Sequence, residues 1–288
     1  MFKSGYVALI GKPNVGKSTF LNLMLGEKLS IVTNKPQTTR TPIKGILTGD
    51  NYQIIFIDTP GIHESTKKLN QVMLSSIKAT IEDADVCLII ADSPNNNYIK
   101  NYEASLLKKN TILLINKADK LTKEQIDAIK AEFLIIDPKK TIVTSLMKDN
   151  PKEEILNAIL EELEEGPKYY NEDEISTHSV RFIASELIRE TLIENLAEEL
   201  PYYVAVAIDE FKERSENLTY IKAIVYTEKD SQKAIVIGQN GAMLKKIGSI
   251  ARKKIEDFLG TKVYLELWVK VKKGWTKNEK LIKEFLSE

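Results

Sequence analysis

Short apolar runs alternate with longer amphipathic ones along the first half of the chain. Tyr6–Ile10, Gln53–Asp58, Val86–Ala91, Thr111–Asn116 and Lys140–Thr144 are rich in β-branched and aliphatic residues and predict strands. Between them, apolar positions recur at helical spacing over Lys17–Leu25, Lys68–Glu82, Tyr102–Lys109, Lys123–Phe133 and Lys152–Glu164. This alternation predicts an α/β domain, with a mostly parallel sheet covered by helices on both faces. Ile43–Leu47 and Gln53–Ile57, joined by Thr48-Gly49-Asp50-Asn51, read instead as an antiparallel hairpin at the sheet edge.

The rhythm breaks between Glu164 and Glu174, where Gly166-Pro167 is followed by polar and acidic residues. The pattern therefore divides into a first domain over 1–165, a linker over 166–178 and a smaller α+β domain over 179–288. In the latter, a helix over about Ser179–Glu199 ends at Pro201, and strands follow at Tyr203–Phe211 and Leu218–Thr227. A short helix, a glycine turn, a long helix Ala242–Leu259 and a strand Val263–Val271 complete it. Along that strand Val263, Leu265, Leu267, Val269 and Val271 share the face expected to meet the core. Trp268, on the other face, is expected to pack on a helix or on the first domain rather than on a base.

Composition changes this picture in two places. The 288 residues carry no net charge, yet from Lys229 to Lys283 there are fourteen Lys or Arg against five acids. That asymmetry points to a polyanionic partner for the C-terminal part, against the plainer reading of a solvated lysine face. The single cysteine, Cys87, lies within Val86-Cys87-Leu88-Ile89-Ile90 and reads as a core thiol, which excludes a disulfide framework or a zinc site. A strand pattern begins almost at the N-terminus and no apolar run nears the ~20 residues of a membrane span, so a cytoplasmic protein is expected.

Three motifs carry chemistry in the first domain. Gly11-Lys12-Pro13-Asn14-Val15-Gly16-Lys17-Ser18-Thr19 has the spacing of a phosphate-binding loop between a strand and a helix. Its backbone N–H groups can converge on phosphate oxygens, with Lys17 on the β- and γ-phosphates and Ser18 on the Mg²⁺ they share. Asp58-Thr59-Pro60-Gly61 ends a strand, as a second phosphate-sensing element should: Asp58 can hold Mg²⁺ through water, and Gly61 can bring its N–H close to the γ-phosphate. Asn116-Lys117-Ala118-Asp119 discriminates most. Asp119 can accept both N1–H and the 2-amino group of guanine, while Asn116 braces the loop and the Lys117 stem covers the base.

In this order the motifs resemble the translation-factor-related GTPases, and Gly-x-Pro-Asn-Val-Gly-Lys-Ser with Asp-Thr-Pro-Gly narrows the resemblance to the Era-like branch. The resemblance implies bound GTP or GDP with Mg²⁺. It also implies a metal-ligating threonine in a first switch, which Gln37-Thr38-Thr39-Arg40 supplies; Thr39 is favoured and Thr38 stays open. The last base-contacting loop of the family maps to Ser145 and Leu146, with leucine where the family has alanine. In related GTPases an asparagine at the position of Asn14 helps bind a K⁺, which makes K⁺ a candidate cofactor here. Many GTPases orient the attacking water with a glutamine after the second-switch glycine; Ile62 stands there, so slow intrinsic turnover is expected. His63 beside it reads more simply as an incidental loop residue than as a base.

In the second domain Gly238-Gln239-Asn240-Gly241 enters a helix bearing Lys245, Lys246, Arg252, Lys253 and Lys254. Gly-x-x-Gly between two helices, with this element order, is similar to a KH domain of type II, whose turn clamps about four unpaired nucleotides. RNA contacts are expected at Gly238, Gln239, Asn240, Gly241, Lys245, Lys246 and Arg252. With Leu265-Glu266-Leu267-Trp268-Val269-Lys270-Val271 included, nearly the whole chain resembles the Era-like GTPases that carry a C-terminal KH domain. The resemblance implies binding near the 3′ end of small-subunit ribosomal RNA and a part in assembling the small ribosomal subunit, as a monomer. Two other readings are open: an RNA binder with a merely structural nucleotide site, and a GTPase held peripherally at the inner face of the cell membrane by its lysine-rich C-terminus.

Overall fold

The computed structural model describes residues 1–33, 35, 38–62 and 67–286. By their contacts they form two units, residues 1–65 with 73–177, and residues 66–72 with 178–288.

In chain order the first half comprises β1 (Lys3–Ile10), α1 (Lys17–Leu25), β2 (Ile43–Gly49), β3 (Tyr52–Asp58), α2 (Lys68–Asp83), β4 (Val86–Ala91), α3 (Glu103–Leu106), β5 (Asn110–Ile115), α4 (Lys123–Phe133), β6 (Lys140–Val143) and α5 (Lys152–Glu162). The sheet order is β2-β3-β1-β4-β5-β6, parallel throughout except for β2 against β3. Every residue of β4 is buried, as a strand covered on both faces must be. Because β1 lies between β3 and β4, the chain leaving Ile10 emerges where the topology reverses, a cleft that open α/β sheets use for ligands.

The expected helix over Tyr102–Lys109 is cut to α3, and Lys108 and Lys109 form turns. Eight residues without a cap are too few to hold a helix on propensity, and Lys109 instead donates to the carbonyls of Glu82 and Ala84 at 2.7 Å. The segment read as a linker lies along the first unit: buried Gln53 accepts from the N–H groups of Tyr169 and Tyr170 through Oε1. The Ile46 N–H donates to the Ile175 carbonyl at 2.9 Å, so the segment also covers the otherwise open edge of β2.

Cys87 is fully buried, and burial pushes its thiol up to about 12. Only the thiolate reacts, so a maleimide or disulfide reagent at pH 8 should label the folded protein hardly at all and the denaturant-unfolded protein fully. Rapid native labelling, measured by mass shift, would contradict this packing.

The second half comprises α6 (Val180–Asn195), β7 (Ala205–Ser215), β8 (Leu218–Thr227), α7 (Asp230–Ile237), α8 (Ala242–Leu259), β9 (Lys262–Val271) and α9 (Glu279–Leu286). Ser179 caps α6 by accepting from the Phe182 N–H. The helix stops at Asn195, short of the expected Glu199, because the backbone turns extended at Leu196, and Glu198 beyond it is left-handed. β8 pairs antiparallel with β7 and parallel with β9, and α6 and α8 cover one face through Leu187, Leu192, Ile247 and Ile255. Lys254 leaves the basic surface: its ammonium bridges Glu190 and Glu194 of α6 at 2.7 Å each, neutralising the fully buried Glu190.

Trp268 departs from its expectation. The ring stays half exposed, its indole N–H donating to Glu266, while α8 lies along the opposite face of β9 at Leu265 and Leu267. Trp275 is the buried tryptophan, edge-on to Phe285 of α9 at 5.4 Å. Among the described residues no helix is long and apolar enough to cross a membrane.

Candidate nucleotide site and nucleic-acid interface

The phosphate loop turns sharply between β1 and α1. Gly16 sits at φ 112°, and a Cβ there would meet Asn116 Nδ2 at 2.4 Å, so glycine is required sterically as well as conformationally. Lys17 is buried and donates to the carbonyls of Gly11 and Lys12 at 3.1 and 2.9 Å. Burial pulls its ammonium down from 10.5 to about 8, opposed by the nearby Asp58 and Asp92 carboxylates. A buried cation at the base of an open cavity of about 440 Å³, lined by the phosphate loop, is an anion receptor.

Opposite Lys17, three hydroxyls converge on Asp58. Its Oδ2 accepts from Ser18 Oγ at 2.6 Å, Ser30 Oγ at 2.7 Å and Thr39 Oγ1 at 3.3 Å, and the Ser18 and Thr39 hydroxyls lie 3.1 Å apart. Burial raises the Asp58 pKa against the lowering effect of Lys17 and these hydroxyls. Its other oxygen, Oδ1, is buried with no hydrogen-bond partner among the described residues. An unpartnered carboxylate oxygen beside two hydroxyls is an all-oxygen donor set, and it fits Mg²⁺ rather than a softer metal. The Thr38 hydroxyl instead donates to the Lys35 carbonyl at 2.8 Å, so the geometry favours Thr39 of the two. Gln37 and His63 lie outside the described residues.

Gly61 packs against the phosphate loop so closely that a Cβ would strike Pro13 backbone atoms at 2.6 Å. Ile62 donates its N–H to the Gly11 carbonyl at 3.0 Å and buries its side chain among Ile10, Ile77 and Ile89. Its apolar side chain serves the core.

The base end of the site is tied together by Asn116. Its Nδ2 donates to the Val15 carbonyl at 2.8 Å, and its Oδ1 accepts from Lys117 N at 2.7 Å and Leu146 N at 3.1 Å. Leu146 is buried behind Gly16, so this N–H braces the loop. Lys117, in a left-handed conformation, donates from Nζ to the Asn14 carbonyl and to Asp92, both at 2.7 Å. Asp119 pairs with Lys148 at 2.7 Å. That hydrogen bond, with a second from Ser145, holds its carboxyl below the usual range, so it stays an acceptor.

In the second unit Gly238 (φ 73°), Asn240 (φ 49°) and Gly241 (φ 79°) make the turn between α7 and α8. A groove of about 470 Å³ runs from it, with Gly241, Lys245, Gly248 and Arg252 along α8 and Leu265 and Leu267 on β9. Gln239 and Asn240 are exposed at its mouth. Lys246 is exposed beside it but does not line it.

Comparisons with known proteins match both halves of the chain. A family described as 50S ribosome-binding GTPase matches residues 6–117, and the KH domain family matches 199–276. The GTPase Era of Clostridium kluyveri is 44% identical over 99% of both chains. This chain belongs to the Era GTPase family. Era of Ruminiclostridium cellulolyticum is 41% identical, covering 98% of this chain and 96% of its own. Among solved structures, Era in complex with MgGDPNP and nucleotides 1506–1542 of 16S ribosomal RNA aligns with a TM-score of 0.92 at 37% identity over 99% of each chain. A variant of Aquifex aeolicus Era bound to GDP·AlF₄⁻ aligns with the same TM-score at 36% identity over 99% of each chain.

Within this Era-type frame, motif reading missed the supports. Ser30 reaches Asp58 only because Asn22 of α1 grips it, accepting from Ser30 N at 2.8 Å and donating to its carbonyl at 2.7 Å. One polar residue inside Phe20-Leu21-Asn22-Leu23-Met24 was the available signal. Asp92, which orients Lys117, and Asp149, which accepts from Ser145 N at 2.7 Å, gave none beyond lying just after a strand or a loop serine.

Proposed function

We propose that this protein is a GTP-hydrolysing, RNA-binding switch. It binds small-subunit ribosomal RNA near its 3′ end and assists assembly of the small ribosomal subunit as a cytoplasmic monomer. The observation that carries the nucleotide half is the convergence of Ser18 Oγ, Thr39 Oγ1 and buried Asp58 beside Lys17. The RNA half rests on the groove below the Gly238–Gly241 turn and on the 16S ribosomal RNA held by the full-length structural relative. The family description of residues 6–117 names the 50S particle, but it covers less than half of the chain. The full-length match, with its 16S fragment, is the better guide.

In this reading the domains divide as 1–165, 166–178 and 179–288. The N–H groups of residues 11–19 hold the α- and β-phosphates, and Lys17 neutralises the β- and γ-phosphates. Ser18, Thr39 and Asp58 hold Mg²⁺, which when bound offsets charge on the β- and γ-phosphate oxygens. Gly61 lets its backbone lie against the phosphate loop, and Asn14 is the candidate K⁺ ligand. Asp119 selects guanine, with Asn116, Lys117, Ser145 and Leu146 shaping its pocket. Ile62 cannot orient water, which supports slow turnover. The segments read as switches, residues 30–41 and 58–72, lie in part outside the described residues; in this reading GTP and Mg²⁺ hold them and hydrolysis releases them. Ile282 of α9 is buried and Phe285 lies on Tyr226 and Trp275, which supports RNA over acidic lipid as the polyanion.

The test is Gln239→Asp combined with Asn240→Asp. Both side chains are exposed, and a left-handed position accommodates Asp, so folding should survive. Two carboxylates facing RNA phosphates should lower affinity for the 3′ segment of small-subunit ribosomal RNA about 10²-fold or more, with GTP turnover unchanged. Unchanged RNA affinity would remove the KH assignment.

A further inference from the structure

The edge strand β9 has two differently built faces. Leu265 and Leu267 turn into the groove beside α8, while Lys262, Tyr264, Glu266, Trp268 and Lys270 alternate on the face away from α8. Tyr264 and Trp268 are 57% and 52% exposed. Both are nevertheless held. Tyr264 stacks on Tyr220 of β8 at 5.9 Å between centroids and 23° between planes, and the Arg214 guanidinium lies 4.3 Å from the Tyr220 ring centre. Glu266, midway between the exposed rings, accepts from the Tyr220 hydroxyl at 2.8 Å and from Trp268 Nε1. Glu266 thus holds Trp268 directly and Tyr264 only through Tyr220, the two exposed rings lying about 13 Å apart along the strand. The far end of this face is covered, with Tyr226 against Phe285 of α9.

We propose that this face of β9 is a second RNA platform, where Tyr264 and Trp268 stack bases of unpaired nucleotides that leave the groove around the strand's free edge. The inference rests on the groove being the RNA site proposed above. Charge decides the occupant. Exposed Lys262 and Lys270 flank the two rings, placing a cation beside each base position, and the β7 acids Asp209 and Glu210 are paired with Lys222 of β8. Rings interleaved with cations are what single-strand binders use, whereas Lys262, Glu266 and Lys270 would interrupt an apolar protein interface. Rings already fixed by Glu266 and Tyr220 also lose little freedom on stacking.

Two RNAs from the 3′ end of small-subunit ribosomal RNA separate the sites: one of about four nucleotides, the length a KH groove holds, and one about three times longer. Tyr264→Ala with Trp268→Ala should weaken the longer RNA about 10²-fold, at roughly tenfold per ring, and leave the shorter one unchanged. Tyr264→Phe with Trp268→Phe keeps the stacking faces and should bind the longer RNA within a few-fold of the parent, controlling for folding. The chain has two tryptophans and Trp275 is fully buried, so the longer RNA should quench Trp268 emission and the shorter should not. Full affinity of the double alanine variant for the longer RNA, with no quenching, would overturn the platform. The groove reading would then stand as long as the Gln239→Asp, Asn240→Asp variant has lost binding. If that variant still binds, the groove assignment and the platform fall together.

Discussion

With Asp119 replaced by Asn, the protein should exchange GTP for xanthosine triphosphate as its preferred ligand. The Asp119 carboxylate is kept ionised by Lys148 and Ser145, so at neutral pH it can only accept hydrogen bonds. Guanine offers it two donors, N1–H and the 2-amino group, whereas xanthine carries an oxygen at the 2 position. An amide at residue 119 can donate to that oxygen and accept from N1–H. Two hydrogen bonds to a charged acceptor are worth roughly 3–6 kcal/mol, so GTP affinity should fall about 10²- to 10⁴-fold. Competition between GTP and xanthosine triphosphate for a fluorescent nucleotide would measure the exchange. If the unmodified protein binds ATP as tightly as GTP, Asp119 does not read the base.

Lys17→Ala should reduce GTP turnover by about 10²–10³-fold or more, the scale of losing a preorganised charge at a transferring phosphoryl group. The ammonium is already desolvated, with a pKa drawn down to about 8, so its attraction to phosphate is not spent on water. Ser18→Ala should be comparably severe for a different reason. It removes one oxygen of the proposed metal set and one donor to Asp58, leaving a buried carboxylate short of a partner. Single-turnover hydrolysis across a Mg²⁺ titration separates the two. Excess Mg²⁺ should recover part of the Ser18→Ala rate and none of the Lys17→Ala rate. Wild-type turnover in Lys17→Ala would mean that this cavity is not where GTP is cleaved.

The frame of the molecule was legible because its signals are local. Five continuous apolar runs became parallel strands, the Asp50-Asn51 turn gave the edge hairpin, and Gly16, Gly61 and Gly238 mark places where a Cβ has no room. What escaped depends on contacts between distant residues. Lys254 reads as one more cation in a basic helix, and only the packing of α6 on α8 turns it toward buried Glu190. Trp268 reads as a residue seeking cover, but the helices take the other face of β9. Ile62, read for its missing amide, proves to be a core residue. Ser30 and Asp92 find their partners only when separate segments of the chain meet, whereas Asp149 accepts from Ser145 N within one loop that no motif covers.

Coupling of the GTP site to the proposed RNA site is measured by RNA affinity in two nucleotide states. The same preparation should be loaded with Mg²⁺ and either a non-hydrolysable GTP analogue or GDP, then titrated with the 3′ segment of small-subunit ribosomal RNA. The dissociation constants should differ by about tenfold or more. By linkage, RNA must then change the ratio of the two nucleotides' affinities by the same factor. Equal RNA affinity in both states, with both sites shown to be filled, would contradict it.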